Sequence, residues 1–375
     1  MRRPRRRTRP RAATWFAALV VIGVVCGCRP SRVAYLEQAR AILPAALTSS
    51  EPAERAMALE VYRDLDMAAP ESQLHRLLTD ATESVRFTAL LVKADQARQS
   101  ELSYFDKVFR EDPQASIRLA AVYGMARLGS FRYMQALSDG LNDQSAVVRR
   151  NAAMILGLLG NASAAGMLNE RLNDADPVVR LNAAEAMARL GDSRGLPAIR
   201  ALAEDATSPL QVNAILALGR AGVPAIDIQR LRELQTGRTP MSVAGQMATF
   251  GARAQLGDYA QVALLADIAA GREGRSRVEP QDRAFALQLL ARAAYGPAWQ
   301  DVGPCLDDRD GLVRLSAAWA TLSFHGPRAA KVMESVSTSP SPQMLTEREV
   351  LRPTLPRPQN SESPGPLQPW GEVGK

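Results

Sequence analysis

"NDQSAVVRRNAAMILGLLGN", residues 142–161, is followed by "NDADPVVRLNAAEAMARLGD" at 173–192 and "EDATSPLQVNAILALGRAGV" at 204–223, each 31 residues after the last. The three superimpose without a gap. Taking the Arg149 position as reference, the pattern extends in both directions through Arg55, Arg86, Arg118, Arg149, Arg180, Gln211, Gln246, Arg283 and Arg314. The steps are 31, 32, 31, 31, 31, 35, 37 and 31, so nine units cover residues 33–335. A helix pair of this size cannot bury its apolar face alone, and stacking on its neighbours supplies one continuous core.

Each unit reads as two antiparallel helices. Six residues before the reference stands Asp80, Asp112, Asp143, Asp174, Asp205 or Asp308. Four before it, Thr82, Ser145, Asp176, Thr207, Ser242 and Asp310 are residue types that cap a helix by accepting from its orphan N–H groups. Three after it, Ala recurs in eight of nine units (Ala58, Ala89, Ala121, Ala152, Ala183, Ala214, Ala286, Ala317), which lets a neighbouring helix approach closely. Apolar residues at −1, +3, +4, +7 and +8 make one stripe. Gly129, Gly160, Gly191, Gly222 and Gly257 fall where a left-handed residue ends the helix. The expected fold is all-α, a right-handed superhelix of about nine helix pairs. Pro240 and Arg277 replace the expected Asp in two units, and 271–280 reads as a longer loop.

These units resemble HEAT repeats, specifically the short class first recognised in phycobilisome bilin lyases. The resemblance implies a hydrogen-bonded Asp–Arg ladder between units, carried by Asp112 with Arg118, Asp143 with Arg149, and Asp174 with Arg180. It also brings two chemistries to weigh. Bilin transfer belongs in the cytoplasm, which the N-terminus contradicts. HEAT-fold deoxyhypusine hydroxylases carry paired His-Glu dyads for a di-iron centre, and this chain has only His75 and His325.

Seven arginines lie between Arg2 and Arg11, and Ala12 to Val25 form an apolar run of 14 residues. A membrane-spanning helix needs about 20, so the run fits a signal-peptide core. Val25-Cys26-Gly27-Cys28 resembles the lipobox of bacterial lipoproteins, with residues 1–27 as signal peptide, Cys28 as the lipidated residue and 28–32 as a short tether. An uncleaved anchor is the alternative. Both readings place the body outside the cytoplasm, in the cell envelope. Arg29 after Cys28 favours the outer membrane where there are two.

The net charge of +7 comes entirely from this leader, because basic and acidic residues balance without residues 1–27. A neutral body lacks the field that holds phosphate backbones, so nucleic acid is not expected as a partner. Residues 336–375 hold eight prolines and read as a solvated tail, its two PxxP matches being what so Pro-rich a segment gives by chance.

The sequence offers no metal-ligand spacing, no GxSxG and no P-loop. Cys305, flanked by Pro304, Leu306 and Asp307, reads as a core thiol. No catalytic residue, cofactor or small-molecule substrate is inferred, and the chain is read as non-enzymatic. Recognition by surface remains. Position +9 carries Arg127, Arg189, Arg220 and Arg292, and +5 carries Tyr123, Glu185 and Trp319. These rows lie off the apolar stripe and are expected to be exposed on the concave face. Tyr123, Arg127, Glu185, Arg189, Arg220 and Trp319 are therefore the candidate contacts for a protein or peptide partner. The expected role is an envelope-anchored scaffold. An accessory or assembly factor, or a degenerate bilin lyase-like enzyme, is the alternative.

Overall fold

A computed structural model describes residues 30–237, 241–272 and 278–338, with side chains to residue 332. The segment read as a signal peptide, Cys28, residues 273–277 of the 271–280 loop and most of the Pro-rich tail lie outside these residues. Among the described residues the chain is all-helical. In chain order the helices are α1 (Arg32–Ala46), α2 (Pro52–Asp64), α3 (Glu71–Leu77), α4 (Glu83–Gln96), α5 (Leu102–Glu111), α6 (Ala115–Arg127), α7 (Gln135–Leu141) and α8 (Ala146–Leu159). Then come α9 (Ala165–Arg171), α10 (Pro177–Arg189), α11 (Leu196–Glu204), α12 (Gln211–Ala221), α13 (Pro224–Thr236), α14 (Val243–Gln255), α15 (Val262–Ala269), α16 (Pro280–Ala293), α17 (Trp299–Val302), α18 (Gly311–Ser323) and α19 (Pro327–Thr338). The pairs α1–α2 to α17–α18 are the nine units, and α19 follows them. No helix among the described residues is long and apolar enough to cross a membrane.

The recurring Asp acts first within its own turn. Asp80, Asp112, Asp143, Asp174, Asp205 and Asp308 each accept from the backbone N–H two residues on, fixing the entry to the second helix. Thr82 and Ser145 make no side-chain cap. Asp176, Ser242 and Asp310 do. Gly160 ends α8 at φ 70°, whereas Gly222 stands at φ −70°. Gly222 is there for space: a Cβ would lie 2.4 Å from the Leu218 carbonyl oxygen.

The ladder differs from the expected pairing. Arg118 and Arg180 donate to the backbone carbonyls of Asp112 and Asp174, not to their carboxylates. Arg149 likewise reaches the Asp143 carbonyl at 2.9 Å. Its other edge forks onto both oxygens of Asp174 in the next unit, at 2.9 and 2.8 Å. Arg55 forks onto Asp80 in the same way, whereas Arg283 reaches Asp308 by a single bond of 2.6 Å and gives its Nε–H to the Ala269 carbonyl. A reference arginine leaves the second turn of its helix pointing back at the loop, so carbonyls take one edge and only the outer edge can bridge units.

The even-numbered helices pack in succession as an inner layer. The two ends also meet, which a superhelix of stacked units does not by itself require. Helix α18 packs on α1 and α2. Arg32 donates to the Phe324 carbonyl at 2.9 Å, and Gln38 to Asp307 at 2.6 Å. The Tyr35 and Trp299 ring centroids are 6.4 Å apart. One buried cluster runs from Tyr35 to Val92 and continues from Leu181 to Val332, across the junction of the two ends. The stacked units therefore close into a ring.

Candidate functional site

The inner helices surround a central chamber of about 1010 Å³. Its wall is made largely of the +5 and +9 rows: Glu60, Leu91, Met154, Glu185 and Trp319 from one, Asp64, Leu158, Arg189, Arg220, Gln255 and Arg292 from the other. Every even-numbered helix except α6 contributes, and α19 adds Arg328, Lys331 and Val332 at one side.

The candidate contact residues thus share a face, but most are not exposed, and this corrects the reading that the fold does not require them. Tyr123, Glu185 and Trp319 are only 4, 2 and 4% exposed. Side chains from the same or the neighbouring inner helix cover them: Asp95 on Tyr123, Arg189 and Arg220 on Glu185, and Arg292 and Asp64 on Trp319. Arg127 and Arg189 keep exposed side chains, at 51 and 37%. Tyr123 and Arg127 stand beside the chamber instead of lining it.

These residues form a polar belt that crosses from unit to unit. Arg63 on α2 reaches Asp95 on α4 at 2.7 Å. Asp95 also accepts from the Tyr123 hydroxyl on α6 and lies 3.7 Å from Arg127. Burial first, and then the Asp95 carboxylate, pushes the Tyr123 phenol up to about 12. On α10, Glu185 takes Arg189 of its own helix at 3.0 Å and both nitrogens of an Arg220 fork from α12, at 2.8 and 2.9 Å. Burial alone would raise the Glu185 carboxyl; the two arginines outweigh it and hold it at about 2. The Arg292 guanidinium on α16 lies over the Trp319 ring of α18, 5.0 Å from its centroid. Trp319 in turn donates to Asp64 on α2 at 3.0 Å, and Arg328 sits 3.7 Å from the same carboxylate. The belt thereby spans the seam.

Asp64 and Asp95 of the belt, and Glu60 close to Arg292 and Arg63, are legible in the repeat register. Counting +5 and +9 from Arg55 and Arg86 gives Glu60, Asp64 and Asp95, so the rows carry carboxylates in the first two units and cations later. Ring closure brings the opposite signs of α2 and α18–α19 together.

Among the described residues no group of three His, Cys, Asp or Glu side chains could hold a metal ion. Cys305 is buried, with its thiol raised chiefly by burial.

Residues 134–219 and 166–240 match the family model for HEAT repeats. This part of the chain is a run of HEAT repeats. With the helix pairs packed in sequence on either side of it, the fold is a HEAT-repeat solenoid. No curated protein matches the chain. Among solved structures, it is similar to the complex of CpcE and CpcF of phycocyanin lyase from Nostoc sp. PCC7120, at 23% identity and a TM-score of 0.38, covering 71% of this chain and 93% of that one. It is also similar to human deoxyhypusine hydroxylase in complex with glycerol, at 20% identity and a TM-score of 0.32, covering 72% of this chain and 99% of that one.

Proposed function

We propose that this HEAT-repeat ring is a non-enzymatic scaffold of the bacterial cell envelope, tethered through a lipid on Cys28, that holds a protein or peptide partner at one rim. The observation that supports it is the set of exposed cations there. Arg127, Arg189 and Arg328 keep 51, 37 and 72% of their side chains exposed while each touches a single carboxylate of the belt. Exposed charge of this kind steers a partner of opposite sign, within about 8 Å at physiological salt. Arg220 belongs to the same row, but its fork onto buried Glu185 is part of the fold.

The test is capture of envelope proteins by the wild-type chain and by an Arg127, Arg189, Arg328→Ala variant with unchanged helicity. The partner should be retained less well by the variant and less well as salt rises. Equal retention by both chains would rule out the rim. The tether has its own test: palmitate labelling in cells should vanish in Cys28→Ala, and persistent labelling would place the lipid elsewhere.

A further inference from the structure

Six cations line the chamber, and Arg292 differs from the other five. Arg63 is paired with Asp95, Arg189 and Arg220 with Glu185, and Arg328 with Asp64; Lys331 also has a partner. Among the described residues no carboxylate lies within ion-pair distance of Arg292, and its buried Nε–H has no hydrogen-bond acceptor. Its one described contact is the face of Trp319, which is locked by its own bond to Asp64. Glu60, Asp64 and Glu185 attract it only from beyond ion-pair distance, and a guanidinium enclosed without a direct counter-ion is costly to fold around. Burial, and then the nearby Arg220, push Arg292 below the ordinary arginine range. Elsewhere the chamber wall is apolar, where Phe87, Leu91, Met154, Leu158, Tyr259 and Val332 face the space.

We infer that the chamber is a binding site for a small organic monocarboxylate, its carboxylate on the Arg292 fork and its apolar body along the Phe87–Leu158 wall. A guanidinium lying over an aromatic ring still has N–H groups to donate to both oxygens of a planar carboxylate. The charge count selects a monoanion: four carboxylates, Glu60, Asp64, Glu83 and Glu185, also line the chamber, so a dianion would face repulsion with only one unpaired cation to hold it. The volume is at the upper end of the 300–1,000 Å³ common for ligand pockets. Arg189 and Arg328 border both the chamber and the rim, but Arg292 is not among the cations assigned to the protein partner.

The probes are octanoate, its neutral counterpart octanamide, and a short peptide ending in leucine with a free carboxyl. They are titrated into the full chain by calorimetry and followed by the tryptophan fluorescence that Trp319 contributes. Octanoate should bind about tenfold or more tightly than octanamide, the difference expected of a charge-assisted bond, and Arg292→Gln should erase that preference. Because Arg292→Gln removes an unpaired buried cation, its melting temperature should equal or exceed that of wild type. The acid–amide comparison on the unaltered chain stands even if the variant does not fold. Equal binding of acid and amide, or undiminished octanoate binding by Arg292→Gln, would overturn the inference. So would binding of the peptide without octanoate, which would hand the chamber to a protein partner. Loss of rim capture in the experiment above leaves these outcomes unchanged.

Discussion

Trp319, in the last unit, donates its indole N–H to Asp64, in the first, over 3.0 Å, though 255 residues separate them. A solenoid with free ends depends only on contacts between consecutive units. Here the last inner helix has neighbours on both sides, and the apolar core continues across the seam. Terminal units usually fray first, being packed on one side alone. Closure removes that weakness, so the ring is expected to unfold as a unit and not from its ends.

The seam can be tested at two glycines. A Cβ on Gly303 would lie 2.3 Å from the Tyr35 ring, which is buried and has nowhere to move. Gly303→Ala should cost about 1–3 kcal/mol, the usual scale of overpacking. A Cβ on Gly311 would meet the Glu54 carboxylate at 2.1 Å, the far end of a flexible side chain. Gly311→Ala should therefore be nearly neutral. Urea melts followed by circular dichroism distinguish the two, and equal costs would argue against a packed seam at Tyr35.

Why closure was not legible follows from what a period encodes. The spacing of Arg118, Arg149 and Arg180 dictates the stacking of one unit on the next. Whether nine such steps return to the start depends on the small rotation at each joint, and no residue reports that rotation. The burial of Glu185 has a different cause. Its +5 position is off the apolar stripe, and it is covered by Arg189 of its own helix and the Arg220 fork from the next unit. The rows themselves were readable, and they do line one face. In the first two units the same positions hold Glu60, Asp64 and Asp95, opposite in sign to the arginines that mark the +9 row later.

The inter-unit fork predicts unequal arginines at equivalent positions. Arg149→Lys loses the bidentate match to Asp174, since an ammonium cannot span both oxygens and two loop carbonyls at once. A loss of about 1.5–3 kcal/mol is the scale for hydrogen bonds to a charged group. Arg118→Lys removes contacts to two carbonyls only, and should cost about 1 kcal/mol. Matching losses in the two variants would show that the carboxylate fork adds nothing.

Glu60 predicts a gain. Burial raises its carboxyl above the ordinary glutamate value, with Arg292 and Arg63 opposing. An acid that binds its proton more tightly in the folded chain costs stability as pH rises from the unfolded to the folded pKa. Glu60→Gln should therefore be more stable than wild type at pH 7, with the difference fading below the ordinary glutamate range. A variant less stable than wild type at pH 7 would show that Glu60 serves Arg292 as a counter-ion after all, and would weaken the case for a bound carboxylate.

Glu185 predicts the opposite sign. Its carboxyl, lowered from 4.5 to about 2, releases its proton more readily in the folded chain. The stability it supplies is complete above the unfolded value near 4.5 and is lost as pH falls towards 2. Glu185→Gln leaves Arg189 and Arg220 facing a neutral amide. Breaking a buried pair costs about 3–5 kcal/mol, and the partial exposure of both arginines points to the lower end. Unfolding free energies of the variant and wild type should differ by about 3 kcal/mol at pH 7 and converge near pH 2. Adding Arg220→Gln to Glu185→Gln should cost less than Arg220→Gln does in the wild-type chain, because the charge it would have paired with is already gone. Additive losses in that cycle would mean that the two residues do not hold α10 to α12 through their charges, and that the belt is a row of independent surface contacts.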